Sequence, residues 1–216
     1  MNKSQILNCV LLLAVAALGV YALLMSQRDG NGTPATTDAD APADTTAAGE
    51  WREIAPEEIK NAVELFGKDW MALAAGKKDS LNAMTVGWGT VGQLWGKPVV
   101  TVYVRKSRHT YTFMERNPYF TLTAFPESKR SALQYIGTHS GRDEKDKLQK
   151  AGLTPEFTTL GNPIFTEGTL AIECKTLYRQ EMPPALIDST VHHFYEGEDA
   201  AAHVMYVGEI VHAWKK

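Results

Sequence analysis

The stretch Asn82–Gly92, NAMTVGWGTVG, constrains the fold most, because three glycines and a tryptophan fall within eleven residues. Gly87–Gly92 spells G-x-G-x-x-G, which cradles a dinucleotide only where a strand feeds it and a helix opens on it. Here Gln93-Leu94-Trp95-Gly96-Lys97-Pro98 follows, and Gly96 and Pro98 interrupt any helix within two turns. No acidic residue closes a second strand at the usual distance, so the dinucleotide reading fails on context. A phosphate loop at Gly96-Lys97 fails as well: Val91 stands where its first glycine belongs, and Pro98 where a serine or threonine should be. The glycines need another explanation.

The 216 residues divide into three parts by composition. Ile6–Met25 is twenty residues with only Asn8 and Tyr21 as polar exceptions, enough for a helix of about 30 Å. Lys3 and the amino terminus precede it, so the positive-inside rule puts everything after Arg28 outside the cytoplasm, on the periplasmic side. Residues 1–28 are therefore expected to be a transmembrane signal anchor. A signal peptide cleaved near Gly19 or Ala22, giving a secreted form, is the alternative, and the apolar run to Met25 favours the anchor. Residues 29–50 hold no Val, Ile, Leu, Met or aromatic residue. They read as a disordered linker with a span of about 25 Å. Residues 51–216 carry the core.

That third part is neutral. Of 22 basic and 25 acidic residues, Lys3 and Arg28, and Asp29, Asp38, Asp40, Asp44 and Glu50, lie before it, leaving 20 of each sign. Charge thus points to no nucleic acid partner. Cys174 is its single cysteine, which excludes an intrachain disulfide within it and reads as a small core residue. The histidines His192, His193, His203 and His212 lack zinc spacing, so no metal site is expected.

The pattern predicts a helix from Pro56, with Ile59, Ala62, Val63 and Phe66 on one face and Gly67 as its stop. Strands are predicted at Asp69–Ala75, Met84–Trp88, Val99–Val104, Tyr119–Phe125, Leu170–Tyr178 and His203–Ala213. Helices are predicted at His109–Arg116, Ser128–Ile136 and Asp143–Ala151. Many short strands with a few helices indicate a mainly β barrel with helical excursions.

Arg105-Lys106-Ser107-Arg108-His109-Thr110 lies where a strand hands over to a helix. With Ser107 as N-cap, backbone N–H groups, two hydroxyls and the guanidinium groups of Arg105 and Arg108 would converge on one point, as a phosphate requires. An ordinary capped helix with solvated arginines fits the same spacing. Ser140-Gly141-Arg142-Asp143 is a second candidate, open to the same two readings.

From Asp69 to Val211 the chain resembles the flavin reductase-like family of FMN-binding split β-barrels, especially its flavoredoxin branch. The resemblance rests on ordered blocks: Asn82-Ala83-Met84-Thr85 with Trp88-Gly89; Lys97-Pro98; Val104-Arg105 with Ser107-Arg108 and Thr110-Tyr111; Asn117–Leu122; Ser140–Asp143; Gly152–Pro155; and Tyr206–Ile210. It implies FMN across the barrel wall, with Asn82, Met84, Thr85, Trp88 and Gly89 facing the ring and ribityl chain and Arg105, Ser107, Arg108 and Thr110 holding the phosphate. Ser140 and Arg142 would lie nearby. Gly87 and Gly89 would let backbone approach the flat cofactor, and Trp88 would stack on it or pack in the core. One lysine is expected after Arg142-Asp143, at Lys145 or Lys147.

The resemblance further implies a homodimer and hydride or electron transfer through FMN. The leading expectation is an NAD(P)H-dependent flavin oxidoreductase. The alternatives are a flavoredoxin-type electron-transfer protein served by a redox partner, or a non-catalytic flavin-binding module. His203 would face the flavin or a nicotinamide, or else sit in the core or at the surface, and no catalytic residue is assigned.

Overall fold

The computed structural model describes residues 50–59, 62–197 and 200–216. The expected anchor and all but the last residue of the expected linker lie outside these. Among the described residues no helix is long and apolar enough to cross a membrane.

The described residues form ten strands: β1 (Arg52–Glu53), β2 (Met71–Lys77), β3 (Ser80–Val86), β4 (Gly89–Leu94), β5 (Lys97–Arg105), β6 (Tyr119–Ala124), β7 (Pro155–Phe157), β8 (Pro163–Phe165), β9 (Leu170–Glu181) and β10 (His203–Lys215). The helices are α1 (Ala62–Glu64), α2 (His109–Arg116), α3 (Arg130–Thr138) and α4 (Lys147–Lys150). Eight strands form one antiparallel sheet in the order β3-β2-β6-β9-β10-β5-β4, with β1 on β10, while β7 and β8 pair separately. The two edge strands, β3 and β4, are separated in the chain only by Gly87 and Trp88. Three Cα steps span at most about 11 Å, whereas seven flat strands would put the edges about 29 Å apart. The sheet therefore curls into a barrel split between β3 and β4.

Side-chain alternation decides which face of each strand is inside. Val100, Val102 and Val104 of β5, Phe120 and Leu122 of β6, and Ile172 and Cys174 of β9 meet Phe66, Val204 and Tyr206 in the barrel interior. Burial pushes the Cys174 thiol pKa up, so this cysteine is a core residue, as its sequence context implies. The opposite faces of β2 and β3 present Ala72, Ala74 and Ala83, and their small size lets α3 pack closely through Leu133 and Ile136. Helix α2 is tied to the barrel by the Tyr206 hydroxyl, which donates to Glu115 at 2.6 Å, and by the Arg179–Glu115 ion pair at 3.0 Å.

Several expectations are corrected. The helix from Pro56 is a short 3-10 turn (Pro56–Glu58), then α1 and a π-type turn (Leu65–Asp69), with Phe66 buried and Val63 85% exposed. Gly67 lies inside that turn; Trp70, at φ 62°, ends it, with the Arg130 guanidinium 3.3 Å over its ring. The predicted strand Met84–Trp88 stops at Val86, and β3 begins earlier, because the β2–β3 hairpin turns at Lys78-Asp79. Gly89–Leu94 is a strand that the glycines concealed. It pairs with β5 through a two-residue turn, Trp95-Gly96, with φ of 54° and 70°, the signs a type I′ turn requires. Helix α2 matches its predicted bounds, but the predicted helix Asp143–Ala151 shrinks to α4, and Ser128–Ile136 becomes a 3-10 turn followed by α3. His192 and His193 sit in a 3-10 turn (Ser189–Tyr195).

Candidate functional site

The barrel's split sets the site. Gly87-Trp88 joins the two edges there, and β5 and β10 end beside it, with His203 paired to Arg105 in the ladder. Met84, Thr85, Val86, Gly87 and Trp88 on one side and Tyr103, Arg105, Arg108 and His203 on the other enclose a first pocket of about 160 Å³. Its rim is aromatic: the Trp88 ring centroid lies 5.0 Å from that of His203 and 5.2 Å from that of Phe194. The Arg105 guanidinium donates to the Phe194 carbonyl at 2.6 Å, and the Tyr195 hydroxyl lies 3.2 Å from His203 Nδ1.

A second pocket of about 220 Å³ shares Met84 and Arg108 with the first, so the two adjoin. The start of α2, the end of α3 and the loop before α4 build it. Asn82 is the junction: its side-chain amide donates to Thr110 Oγ1 at 2.7 Å, and a Cβ at Gly141 would lie 2.2 Å from its Oδ1. A side chain at 141 would have to displace the Asn82 amide. Arg108 donates to the Gly137 carbonyl at 3.0 Å, and the Lys147 amine donates to the His139 carbonyl at 3.1 Å.

Electrostatically the second pocket is a cation cluster of Arg108, Arg142 and Lys147, with Asp143 as the acidic residue on its wall. Burial, then the charge of Arg108, pushes the Lys147 pKa down to about 8. Burial, then Arg142, Lys145 and Lys147, lowers that of His109, whose buried Nδ1 has no hydrogen-bond partner among the described residues. Such mutual repulsion is the field that attracts an anion. Together with the hydroxyls of Ser107 and Ser140, the donor set fits a phosphate.

Of the eleven predicted site residues, ten line one or both pockets. Met84 and Arg108 line both; Thr85, Trp88 and Arg105 line the first; Asn82, Ser107, Thr110, Ser140 and Arg142 line the second. Gly89 lines neither. A Cβ there would fall 2.4 Å from the buried Phe66 ring, so Gly89 serves packing, whereas Gly87 lines the first pocket and a Cβ on it would fall 3.2 Å from Trp70. Arg105 and Arg108 both line the first pocket, but Arg105, which donates to the Phe194 carbonyl, does not line the second, where Arg108 meets Arg142 and Lys147. The N-cap of α2 is Arg108, in extended conformation, and makes no side-chain cap bond, so Ser107 is not the cap. Trp88 is neither core nor fully covered, at 41% exposed.

Of the two candidate lysines, Lys147 is buried and lines the second pocket, while Lys145 lies farther out. Sequence reasoning missed His109, His139, Tyr103, Phe194 and Tyr195. His109 was within reach, as the first residue of α2 beside the predicted anion site. Phe194 and Tyr195 carried no local signal, since they reach the site from a chain excursion far along the sequence.

Comparisons with known proteins bear on the fold and the family. The fold is shared with a flavoredoxin from Methanosarcina acetivorans at 22% identity and TM-score 0.56, over 74% of each chain. It is shared with an FMN-binding domain of a flavin reductases-like enzyme from Shewanella baltica at 18% identity and TM-score 0.56, over 77% of this chain and 78% of that one. An NADH:FAD oxidoreductase from Streptomyces globisporus aligns at 17% identity and TM-score 0.52, over 68% and 75% of the two chains. No curated protein matches the chain. The sequence pattern of the flavin reductase like domain matches residues 66–216, most of the chain, and the chain therefore belongs to that family.

Proposed function

We propose that the chain binds FMN across the two pockets and passes hydride or electrons through it as an NAD(P)H-dependent flavin oxidoreductase. One observation carries this reading: an aromatic-rimmed pocket and a cationic pocket adjoin through Met84 and Arg108. Each alone falls short of the roughly 300 Å³ at which small-ligand pockets begin, and side by side they reach it. A bound flavin supplies the redox chemistry, and the protein supplies binding, orientation and electrostatics.

In this reading Arg108, Arg142 and Lys147 neutralise the phosphate, aided by the Ser107 and Ser140 hydroxyls. Met84 and Trp88 flank the ring, and the Asn82–Thr110 bond fixes β3 against α2 so that both pockets keep their spacing. Dimerisation, and a tether through residues 6–25 that would hold the domain outside the cytoplasm, belong to the same proposal.

The test uses the full-length chain purified in detergent. Incubation with FMN should leave a yellow protein after gel filtration, and NADH or NADPH should bleach it. A yellow protein that dithionite bleaches but nicotinamides do not would favour the flavoredoxin-type alternative, and failure to retain FMN would overturn the flavin reading itself.

A further inference from the structure

A third pocket, of about 320 Å³, adjoins the second: it shares Asn82, His109, Gly141 and Lys147 with it and no residue with the first. Alone it reaches the roughly 300 Å³ at which small-ligand pockets begin, which neither of the other two does. A mononucleotide with its ring in the first pocket and its phosphate in the second leaves the third unused. The β2–β3 turn at Lys78-Asp79, Phe113 of α2, and residues before and within α4 build it.

Its lining joins two chemistries. Leu81, Phe113 and Leu148 supply apolar surface, and the Phe113 ring stands edge to face against His109, with centroids 5.2 Å apart. Lys78, Lys145 and Lys147 supply positive charge, and Lys78 and Lys145 form no ion pair among the described residues. Of the two acids on the wall, Glu144 is already engaged: it accepts from the Tyr135 hydroxyl at 2.9 Å and pairs with Lys150 at 2.5 Å. Asp79 is left against three lysines, so positive charge stands beside apolar surface. An organic anion with a flat apolar body matches both. Lys147 belongs to the wall common to the two pockets, so an anion on either side draws on the same ammonium, and two anions across that wall repel.

We propose that the third pocket binds a small organic anion, a carboxylate on an aromatic-sized apolar body held by Lys78 and Lys145, and that its occupation loosens FMN through the shared Lys147. The coupling rests on the flavin reading; the site itself does not.

Isothermal titration of the full-length, flavin-free chain with naphthalene-2-carboxylate and its neutral amide tests it. The carboxylate should bind about tenfold more tightly than the amide. Lys78→Gln combined with Lys145→Gln, two changes at exposed positions, should weaken the carboxylate about fivefold or more and FMN by less than about threefold. Rising carboxylate should lower FMN affinity by about three- to tenfold, to a plateau, and leave riboflavin within about twofold. Equal binding of carboxylate and amide, binding of neither, or carboxylate binding unmoved by the double variant overturns the site. Displacement of FMN without a plateau places the carboxylate in the second pocket and overturns it too. An FMN affinity that bound carboxylate leaves unchanged overturns the coupling. If the unaltered chain takes up no FMN, the flavin reading fails separately, the coupling falls with it, and the carboxylate titrations still decide the site.

Discussion

The two pockets touch at Met84 and Arg108 and are built in opposite ways. The first is framed by strand ends at the split of the barrel, where the register of β5 against β10 fixes Tyr103, Arg105 and His203. The second is framed by helix starts and a loop, and hydrogen bonds hold it together: Asn82 to Thr110, Arg108 to the Gly137 carbonyl, Lys147 to the His139 carbonyl. A sheet edge presents flat, apolar surface, and helix starts and loops gather charge. Under the proposed function, ring recognition falls to the first pocket and phosphate recognition to the second.

Paired measurements of FMN and riboflavin, which differ by the phosphate, break that division if it is wrong. The largest effect is expected from Arg108→Ala combined with Arg142→Ala. Each charge-assisted hydrogen bond contributes about 1.5–3 kcal/mol, so FMN should weaken by about 100-fold or more and riboflavin by less than about threefold. Equal losses would mean that the cations do not serve a phosphate.

Gly89→Ala comes next and acts on neither pocket. Its Cβ would press on the buried Phe66 ring, and overpacking of this kind costs about 1–3 kcal/mol, visible as a lower thermal midpoint. Below that midpoint both flavins should bind as before; a selective loss of flavin binding would return Gly89 to the site.

The third effect is one of pH. In the free chain the Lys147 ammonium is lost as pH rises through about 8, far below the ordinary lysine value of about 10.4. A phosphate beside it favours the charged form, so binding takes up a proton in this window. FMN affinity should fall by about tenfold between about pH 7 and about pH 9.5, with riboflavin unchanged. Lys147→Met should remove the dependence, and a slope that survives it would assign the titration elsewhere. Last, Trp88→Ala should weaken FMN and riboflavin alike, by about fivefold, the worth of one lost aromatic contact. A loss confined to FMN would contradict the assignment of Trp88 to the ring.

Much of this arrangement is legible in the sequence. Helix α2 was marked at both ends, by Ser107-Arg108 before it and Asn117-Pro118 after it, and the β-branched alternation of Val100, Val102 and Val104 announced an inward face. Gly89 misled because glycine signals close approach without saying to what: here it is to Phe66, a partner fixed only by the tertiary fold. Arg105 and Arg108 look equivalent in the sequence, three residues apart. They differ because β5 ends at Arg105 while Arg108 caps α2, so both line the first pocket and only Arg108 also lines the second. Lys147 was indistinguishable from Lys145 until α4 showed which one turns under the carbonyl of His139. Phe194 and Tyr195 were illegible, since an excursion without buried residues carries no periodicity to read.

The central claim is that the second pocket holds the phosphate of a flavin whose ring lies in the first. Its most direct test is the ratio of FMN to riboflavin affinity for the unaltered full-length chain, followed by quenching of flavin fluorescence at about pH 7. The three cations predict FMN tighter by about 100-fold or more; equal affinities, or no binding of either, would contradict the account.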